Sequence, residues 1–255
     1  MRLLSSVSKA FCILDAFSIE SPELSLAQIA KLAGIHKSSA FRLLATLEAQ
    51  GFVERSPAGH GYRLGWKLAE LSGRLLARYG LREQAAPFME ELAEKSGEIV
   101  HLSILDGGEI VYLEKKGRSQ PLTVSTAIGG RSPAHASAMG KVLLAGLAEE
   151  ELRRVLAGLR LQRFTPTTIT DRRRLARELA AIRSQGYALD NEETFPGIRC
   201  VAAPLRDREG RVVAALSVTA PAQRMGARRQ AELRKEVKYT AARISERIRL
   251  GGISS

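Results

Sequence analysis

The residues best suited to catalytic chemistry in this sequence are cysteines and histidines, which can act as nucleophiles, proton carriers or metal ligands. There are two cysteines and four histidines, namely Cys12, Cys200, His36, His60, His101 and His135. No histidine stands in a recognisable nucleophile context with Cys200, and neither cysteine has a CxxC or histidine-rich neighbourhood. The sequence also lacks a P-loop, a Rossmann glycine pattern and an HExxH run. We therefore expect a protein that is not an enzyme and has no catalytic residues, metal or cofactor.

A second group of polar residues has the spacing of a helix that reads DNA. Ser25 and Gln28 form a capping-box pattern that begins a short helix, and residues 33–35 form a turn that contains glycine. A further helix begins near His36, with an apolar stripe on one side. Its first turn and outward side carry Lys37, Ser38, Ser39, Arg42 and Thr46. Hydroxyls can donate to phosphates and an arginine can reach guanine, so these residues and Ser25 are candidate contacts with double-stranded operator DNA.

Two short strands follow this helix-turn-helix pattern, at residues 51–55 and 62–64, around a turn rich in glycine and proline. A helix-turn-helix followed by such a hairpin is a winged helix, which we place at residues 1–64. The hairpin, or wing, adds Arg55 and His60 to the candidate DNA contacts. The alternative is a helical module that binds another protein and not DNA.

The charge distribution supports a polyanionic partner. The 255 residues carry a formal net charge of +12, with +4 in residues 1–80, +2 in residues 81–220 and +6 in residues 221–255. The excess lies at the two ends, as expected for a charged reading head joined to a nearly neutral body. No window approaches 18 uninterrupted apolar residues and the first residues do not resemble a secretory signal, so we expect a cytoplasmic protein without a membrane partner.

The rest of the chain predicts a linker helix and a second domain. Residues 65–80 form a helical stretch that includes Trp66 and has more apolar surface than one small domain needs, so we expect this helix to take part in dimerisation. The second domain covers residues 81–255, with predicted helices at 81–96, about 136–146, 149–157, 171–185 and 226–249, and predicted strands at 99–105, 109–114, near 122–124, 199–205 and 212–219. This order indicates an α+β sensor-like domain with an antiparallel sheet.

Three sequence blocks carry a specific family resemblance. They are the recognition-helix run S-S-A-F-R-L-L-A-T-L-E-A-Q-G-F-V, the central G-G-R-S-P-A-H-A-S-A-M-G-K-V-L-L-A, and D-N-E-E-T-F-P-G-I-R-C-V-A-A-P-L. Their order and separation resemble those of the IclR family of bacterial transcriptional regulators over essentially the whole chain. The resemblance implies an N-terminal winged helix-turn-helix, a linker helix and a C-terminal GAF-like effector domain, usually in homodimers that pair into tetramers.

The central block is the candidate anion site. Gly129-Gly130 permits a sharp bend, Pro133 fixes the approach to a helix that begins near residues 136–139, and the free amides of a helix N-terminus bind an anion readily. The resemblance places the carboxylate of a small organic acid effector at Ala138 and Met139, held by main-chain N–H groups. Met139 stands where the family often has a smaller residue, which alters the volume of the pocket. The alternative is a tight loop packed against its own sheet.

The resemblance also supplies candidate walls for this effector cavity. They are Asp190 as the hydrogen-bond partner of an effector hydroxyl or hydrate, Cys200 as a small polarizable wall, Ser217 and Thr219 as polar contacts, and Val124 and Ile198 as apolar walls. Ser217 and Thr219 alternate along a strand, so both side chains lie on one face of the sheet. Structural alternatives stay open, because Asp190 could cap a turn and Cys200 could be an inert buried thiol.

The sequence thus predicts a DNA-binding transcriptional regulator whose operator binding is modulated by a small, carboxylate-bearing metabolite. Two winged helices would read the half-sites of a palindromic operator, and the effector would change their relative positions through the linker helix. Repression and activation both fit this architecture. The alternatives are a ligand-binding interaction module without DNA binding and a small-molecule enzyme based on Cys200 and Asp190.

Overall fold

The structure is a computed structural model that describes residues 3–57, 59, 61–78, 80–117 and 126–251. The chain divides into two compact units, Met1–Arg78 and Tyr79–Ser255. Three predicted features lie outside the described residues: the DNA contact His60, the apolar wall Val124 and the strand near residues 122–124.

The first unit is a winged helix-turn-helix. Its elements are α1 (Ser5–Leu14), β1 (Glu23–Leu24), α2 (Leu26–Leu32), α3 (Lys37–Ala49), β2 (Val53–Arg55), β3 (Tyr62–Leu64) and α4 (Trp66–Arg78). The strands pair antiparallel in the order β1-β3-β2. A small apolar core under the helices is formed by Ile13, Leu24, Ile29, Leu44, Val53 and Tyr62. The predicted fold of this region is therefore confirmed.

Local sequence signals explain where α2 and α3 begin. Ser25 Oγ accepts a hydrogen bond from the Gln28 amide, and the Gln28 side chain accepts one from the Ser25 amide, so the capping box is complete. Gly34 has a φ of +66° in the turn, which glycine adopts without steric strain. His36 then caps α3, because its Nδ1 accepts from the Ser38 amide. These features fix the angle at which α3 leaves the turn.

Two details of the first unit differ from the sequence-based expectation. The spacing of apolar residues predicts a first helix from Ser5 to Phe17, but α1 ends at Leu14 with Asp15 as its C-cap. Residues 23–24 form a strand that pairs with β3, which the sequence analysis does not predict. A strand of two residues is too short to show alternation, so it has no recognisable pattern.

A six-stranded antiparallel sheet organises the second unit. Its strands are β4 (Ile99–Asp106), β5 (Glu109–Lys116), β6 (Arg131–Pro133), β7 (Ala188–Asn191), β8 (Ile198–Arg206) and β9 (Val212–Pro221), in the order β6-β5-β4-β9-β8-β7. The β4–β9 register sets His101 opposite Ser217, and the β8–β9 register sets Cys200 opposite Thr219. The sheet thus brings distant parts of the sequence together, and the predicted α+β class is confirmed.

The helices of the second unit pack against this sheet. They are α5 (Leu81–Ser96), α6 (Ala138–Gly146), α7 (Glu149–Gly158), α8 (Arg172–Gln185) and α9 (Ala227–Gly251). Helix α6 contacts β8, β9 and α8, whereas α9 contacts β8, β9 and α5. All of α6 except Gly146 is buried, and a Cβ at Gly140 would lie 2.3 Å from the Ala134 Cα. Glycine at position 140 therefore permits the close approach of α6 to the segment before it.

The boundaries of two site segments differ from the prediction. Residues 134–136, which the prediction partly assigns to the following α-helix, form one turn of 3-10 helix, and α6 begins at Ala138 after the cap residue Ser137. Strand β7 is not predicted, and Asp190 lies on it at one edge of the sheet. Strand β6 is not predicted either. Both strands have four residues or fewer, too few for a period to be recognised.

Candidate DNA-reading helix and effector cavity

The outward face of α3 carries most of the predicted DNA contacts. Lys37, Ser38, Arg42 and Thr46 are exposed, and Ser39 is half-buried. Ser39, Arg42 and Thr46 line a groove of about 430 Å³ together with residues of α1, including Lys9. No described residue makes a hydrogen bond or ion pair with the side chains of Lys37 or Arg42. Both cations are therefore available to a ligand.

Three other predicted DNA contacts have intramolecular partners. The Ser25 hydroxyl belongs to the capping box of α2, and the Ser38 Oγ lies 2.8 Å from the His36 Nδ1. The Arg55 Nε lies 3.5 Å from the Glu48 Oε1, and its guanidinium stacks 4.4 Å from the centre of the Tyr62 ring. These contacts orient the side chains and reduce their freedom to reach DNA.

In the second unit, every predicted effector residue that the structure describes lines one cavity of about 40 Å³. These residues are Ala138, Met139, Asp190, Ile198, Cys200, Ser217 and Thr219, and the remaining lining residues are His101, Tyr112, Thr126, Ser132, Ser137, Thr194 and Phe195. The seven predicted residues come from α6, β7, β8 and β9. The fold therefore assembles residues that the sequence separates by up to about 80 positions into one small polar cavity.

The first turn of α6 forms one end of the cavity. Ser137 Oγ accepts a hydrogen bond from the Gly140 amide at 3.1 Å, and the Ser137 carbonyl accepts from the Lys141 amide. Helix geometry leaves the amides of Ala138 and Met139 without intrahelical acceptors. Both residues line the cavity, and the positive end of a helix dipole favours an anion.

A row of polar side chains crosses the sheet beside these amides. His101 Nε2 lies 2.7 Å from Thr126 Oγ1, and His101 Nδ1 lies 3.3 Å from Thr219 Oγ1. Thr219 Oγ1 also lies 3.2 Å from Cys200 Sγ. Burial, reinforced by the charge of Lys115, lowers the pKa of His101 to about 3, so this imidazole is neutral at physiological pH. The row offers neutral donors and acceptors to a ligand.

Asp190 has a double position in the site. Its Oδ1 accepts a hydrogen bond from the Glu193 amide at 2.7 Å, so the carboxyl does cap the turn after β7, and it also lines the cavity. Burial raises the pKa of Asp190 to about 7, although the bond from the Glu193 amide favours the charged form. The structural and the binding interpretations of Asp190 are therefore compatible with each other.

The cavity is small. Met139 is buried, and Ser103 Oγ donates a hydrogen bond to its Sδ at 3.1 Å, whereas Phe195 is about half exposed at the rim. Pockets for small molecules usually measure about 300–1,000 Å³, far more than the 40 Å³ here. A ligand of several carbons can enter only if wall side chains such as Met139 or Phe195 move.

The geometry around Cys200 opposes nucleophilic catalysis. Burial raises the pKa of its thiol, with a further contribution from the Asp190 charge, and a thiol that stays protonated is a poor nucleophile. Its hydrogen-bond neighbour is Thr219 and not a histidine. Within the described part of the chain, no three histidine, cysteine or acidic side chains are arranged to hold a metal ion.

Comparisons with known proteins decide the family. The model of the IclR helix-turn-helix domain matches residues 6–57, and the model of the bacterial transcriptional regulator IclR C-terminal domain matches residues 73–246. The chain belongs to the IclR family. The predicted resemblance is thus confirmed, and as an IclR-family member the protein is a helix-turn-helix transcriptional regulator that binds operator DNA and responds to a small-molecule effector.

Other IclR-family proteins are similar along their whole length. The transcriptional regulator XynR of Escherichia coli is 40% identical over 245 residues, which cover 96% of this chain and 97% of XynR. The Thermotoga maritima IclR structure has a TM-score of 0.79 at 34% identity, with 95% and 98% of the two chains covered. An IclR homolog from Microbacterium hydrocarbonoxydans, solved in complex with 4-hydroxybenzoate, has a TM-score of 0.84 at 29% identity, with 96% and 99% covered.

Sequence reasoning missed several residues that line this cavity. His101 and Tyr112 come from the β4–β5 hairpin, and Ser132 and Phe195 come from short segments beside it and β8. The one available signal was His101 in an otherwise apolar strand, because a buried imidazole needs hydrogen-bond partners.

None of the helices in the described part of the chain combines the length and the apolar character that a membrane span requires.

Proposed function

We propose that this regulator binds a small organic acid in the cavity of its second unit. The amides of Ala138 and Met139 would hold the carboxylate, and Asp190, Ser217 and Thr219 would hold hydroxyl or carbonyl groups. The observation that carries this assignment is the Ser217 hydroxyl, which is buried at the cavity and has no hydrogen-bond partner among the described residues. Buried polar groups without partners are rare, so the site favours a ligand that supplies one.

The chemistry of a similar protein's ligand supports this class of effector. 4-Hydroxybenzoate, which the Microbacterium homolog holds, has a carboxylate at one end and a hydroxyl at the other. The cavity described here offers helix amides on α6 and the Asp190 carboxyl on β7. Ile198 and Cys200 would supply the remaining walls of the site, with Val124 as a further proposed apolar contact.

The proposed reading surface is the outward face of α3. Arg42 and Lys37 are exposed cations without partners among the described residues, and Ser39 and Thr46 share the groove of Arg42. We assign Arg42 to a base edge and Lys37 to a phosphate, because arginine can bind guanine through two hydrogen bonds. Secondary phosphate contacts are proposed for Ser25, Ser38, Arg55 and His60.

The proposed assembly is a cytoplasmic homodimer that pairs into a tetramer. Large apolar side chains of the first unit are exposed on α1 and α4, with Phe11 60% and Trp66 79% accessible. These exposed side chains are candidates for an interface, because apolar surface that clusters on one face marks a protein contact. In the proposed domain organisation the winged helix covers residues 1–64, the linker helix residues 65–80 and the effector domain residues 81–255.

A thermal-shift screen tests the effector assignment. The panel contains acetate, benzoate, gluconate and 4-hydroxybenzoate, so that acids with and without hydroxyls are compared. An acid that binds the folded state raises the melting temperature by mass action. Ser217→Ala is expected to reduce the shift, and Ser184→Ala, which alters a serine exposed on α8, is the matched control. An equal shift in both variants, or no shift with any acid, would contradict the assignment.

An electrophoretic mobility shift assay on the intergenic DNA that flanks the regulator's gene tests the proposed DNA-binding surface. The parent protein is expected to retard this DNA at low salt, and the best acid of the panel is expected to change the affinity. A ligand-binding module without DNA binding would leave the DNA unshifted at every protein concentration. That result would indicate that the basic ends of the chain contact other proteins and not DNA.

A further inference from the structure

A buried ion pair adjoins the candidate cavity and has no role in the site described above. Lys141, on α6, is 1% exposed, and its Nζ lies 2.6 Å from Glu193 Oε1 and 3.2 Å from Glu178 Oε1. Glu193, which follows β7, is 5% exposed. Apolar residues of similar volume often replace such a pair without loss of stability, so burial alone does not explain it. Its contacts indicate a different role.

The pair joins the two polar ends of the cavity. Lys141 lies less than one turn of α6 after the amides of Ala138 and Met139. Glu193 donates its own amide to Asp190 Oδ1 at 2.7 Å. The Glu193 carboxylate therefore holds the helix that supplies the proposed anion site, while the Glu193 backbone holds the proposed partner of the effector hydroxyl.

The turn that carries Glu193 is anchored on its other sides by threonines. Thr168 Oγ1 donates to the Glu193 carbonyl at 2.6 Å, and Thr194 Oγ1 donates to the Ala136 carbonyl at 2.7 Å. Glu192 has a φ of +63°, an uncommon conformation for a residue other than glycine. Surrounding contacts must hold such a backbone in place. The ion pair between Lys141 and Glu193 connects this turn to α6.

We propose that Lys141 and Glu193 are positioning residues for effector binding, which fix the distance between the α6 amides and the Asp190 carboxyl. The inference rests on the effector cavity proposed above. Neither residue lines the cavity, so both act through the groups that do. Binding groups must be held within about 0.5 Å of their productive positions. A buried ion pair between the two elements that carry them can provide this precision.

The test variants must not leave a buried charge alone. Lys141→Met would leave the buried Glu193 carboxylate without a cationic partner, which can prevent folding. Glu193→Gln leaves Lys141 with Glu178, and the double variant Lys141→Met/Glu193→Gln removes both charges of the pair. Arg183→Met is the matched control, because Arg183 on α8 donates to the Ala145 carbonyl at 2.8 Å, at the end of α6 away from the cavity.

The first measurement is amide hydrogen exchange of the full-length chain, followed by NMR without any effector. In the double variant, exchange of the Glu193 amide is expected to accelerate at least about tenfold, while exchange of the Leu216 amide in the buried strand β9 is unchanged. Arg183→Met is expected to leave the Glu193 amide as in the parent. Equal acceleration of both amides in the double variant would show global destabilisation. That result, or no acceleration of either amide, would overturn the proposal.

The second measurement is calorimetric titration with 4-hydroxybenzoate and gluconate. The affinity for a probe that binds the parent is expected to fall at least about tenfold in Glu193→Gln and in the double variant, and to stay unchanged in Arg183→Met. Unchanged affinity in the double variant would overturn the positioning role. Failure of both probes to bind the parent would count against the proposed effector cavity, and the exchange measurement would still decide the role of the ion pair.

Discussion

Replacing Asp190 with asparagine is expected to change how stability depends on pH. The amide has nearly the same shape as the carboxyl and keeps an oxygen that can accept from the Glu193 amide, so the turn cap remains. What the substitution removes is a buried group whose pKa rises from 3.8 to about 7 on folding, mainly because of burial. Well below pH 3.8 the carboxyl is protonated in both states, and the two proteins should be equally stable.

The sign and size of the effect follow from proton linkage. Between pH 4 and 7 the folded state keeps the Asp190 proton and the unfolded state has lost it, so the free energy of unfolding of the parent falls as the pH rises. Above the folded pKa the loss is complete. Each pKa unit corresponds to about 1.4 kcal/mol, so from pH 5 to pH 8 the parent should lose about 3 kcal/mol relative to Asp190→Asn.

Urea unfolding at pH 5, 6, 7 and 8, followed by far-ultraviolet circular dichroism, measures this difference. Tryptophan fluorescence is unsuitable because Trp66 is the only tryptophan and lies in the first unit. Asp190→Ala is the control, since it removes the cap as well and should lower stability at low pH, where Asp190→Asn does not. Carbon-13 NMR of the carboxyl gives the pKa directly. Parallel pH profiles for parent and Asp190→Asn, or a carboxyl that titrates near 4, would refute the reasoning.

Four further substitutions or conditions give separate tests. Arg42→Ala is expected to weaken operator binding by about 1–3 kcal/mol and to relax the preference at one base pair. The assay is a mobility shift on operators that are substituted one base pair at a time. If Arg42 contacts only phosphate, the variant will lose the same affinity on every operator. The logarithm of operator affinity should fall linearly with the logarithm of salt concentration, and a flat response would argue against phosphate-driven binding. Met139→Ala is expected to lower the free energy of unfolding by about 2–5 kcal/mol and to admit bulkier acids, so an unchanged ligand preference in calorimetry would remove Met139 from the wall. Gly140→Ala should prevent folding of the second unit, because the new Cβ would meet the Ala134 backbone. Gly158→Ala is the matched control, because a Cβ at that position has open space. Circular dichroism measures folding of both variants, and a folded Gly140→Ala protein would contradict the packing argument.

Features of the fold that depend on neighbouring residues could be predicted from the sequence. The capping box at Ser25 and the turn at Gly34 are encoded within four residues, so α2 and α3 were placed correctly. The alternation of Ser217 and Thr219 likewise predicted their common face, and both line the same cavity. Short-range signals of this kind are complete within the segment that they describe.

Features that depend on long-range pairing could not be predicted in the same way. His101 enters the cavity because β4 pairs with β9, which sets it opposite Ser217. Nothing in the sequence near His101 specifies that partner, because sheet order depends on the packing of the whole unit. The ion pair of Lys141 with Glu193 is hidden for the same reason: its residues are 52 positions apart, and a lysine on an amphipathic helix usually faces solvent.

The polar groups of the proposed effector cavity suggest how an effector would act on this fold. The Ser217 hydroxyl belongs to β9, the free amides belong to α6 and the Asp190 carboxyl belongs to β7. In the proposed site, an acid with a hydroxyl would bond to all three elements at once, whereas an apolar molecule of equal size would leave the Ser217 hydroxyl without a partner. Because only the folded state presents the three groups together, these proposed bonds would stabilise that arrangement and restrict motion of α6 relative to the sheet. The distance between the α6 amides and Asp190 should therefore help to select the effector, together with the volume that Met139 leaves free.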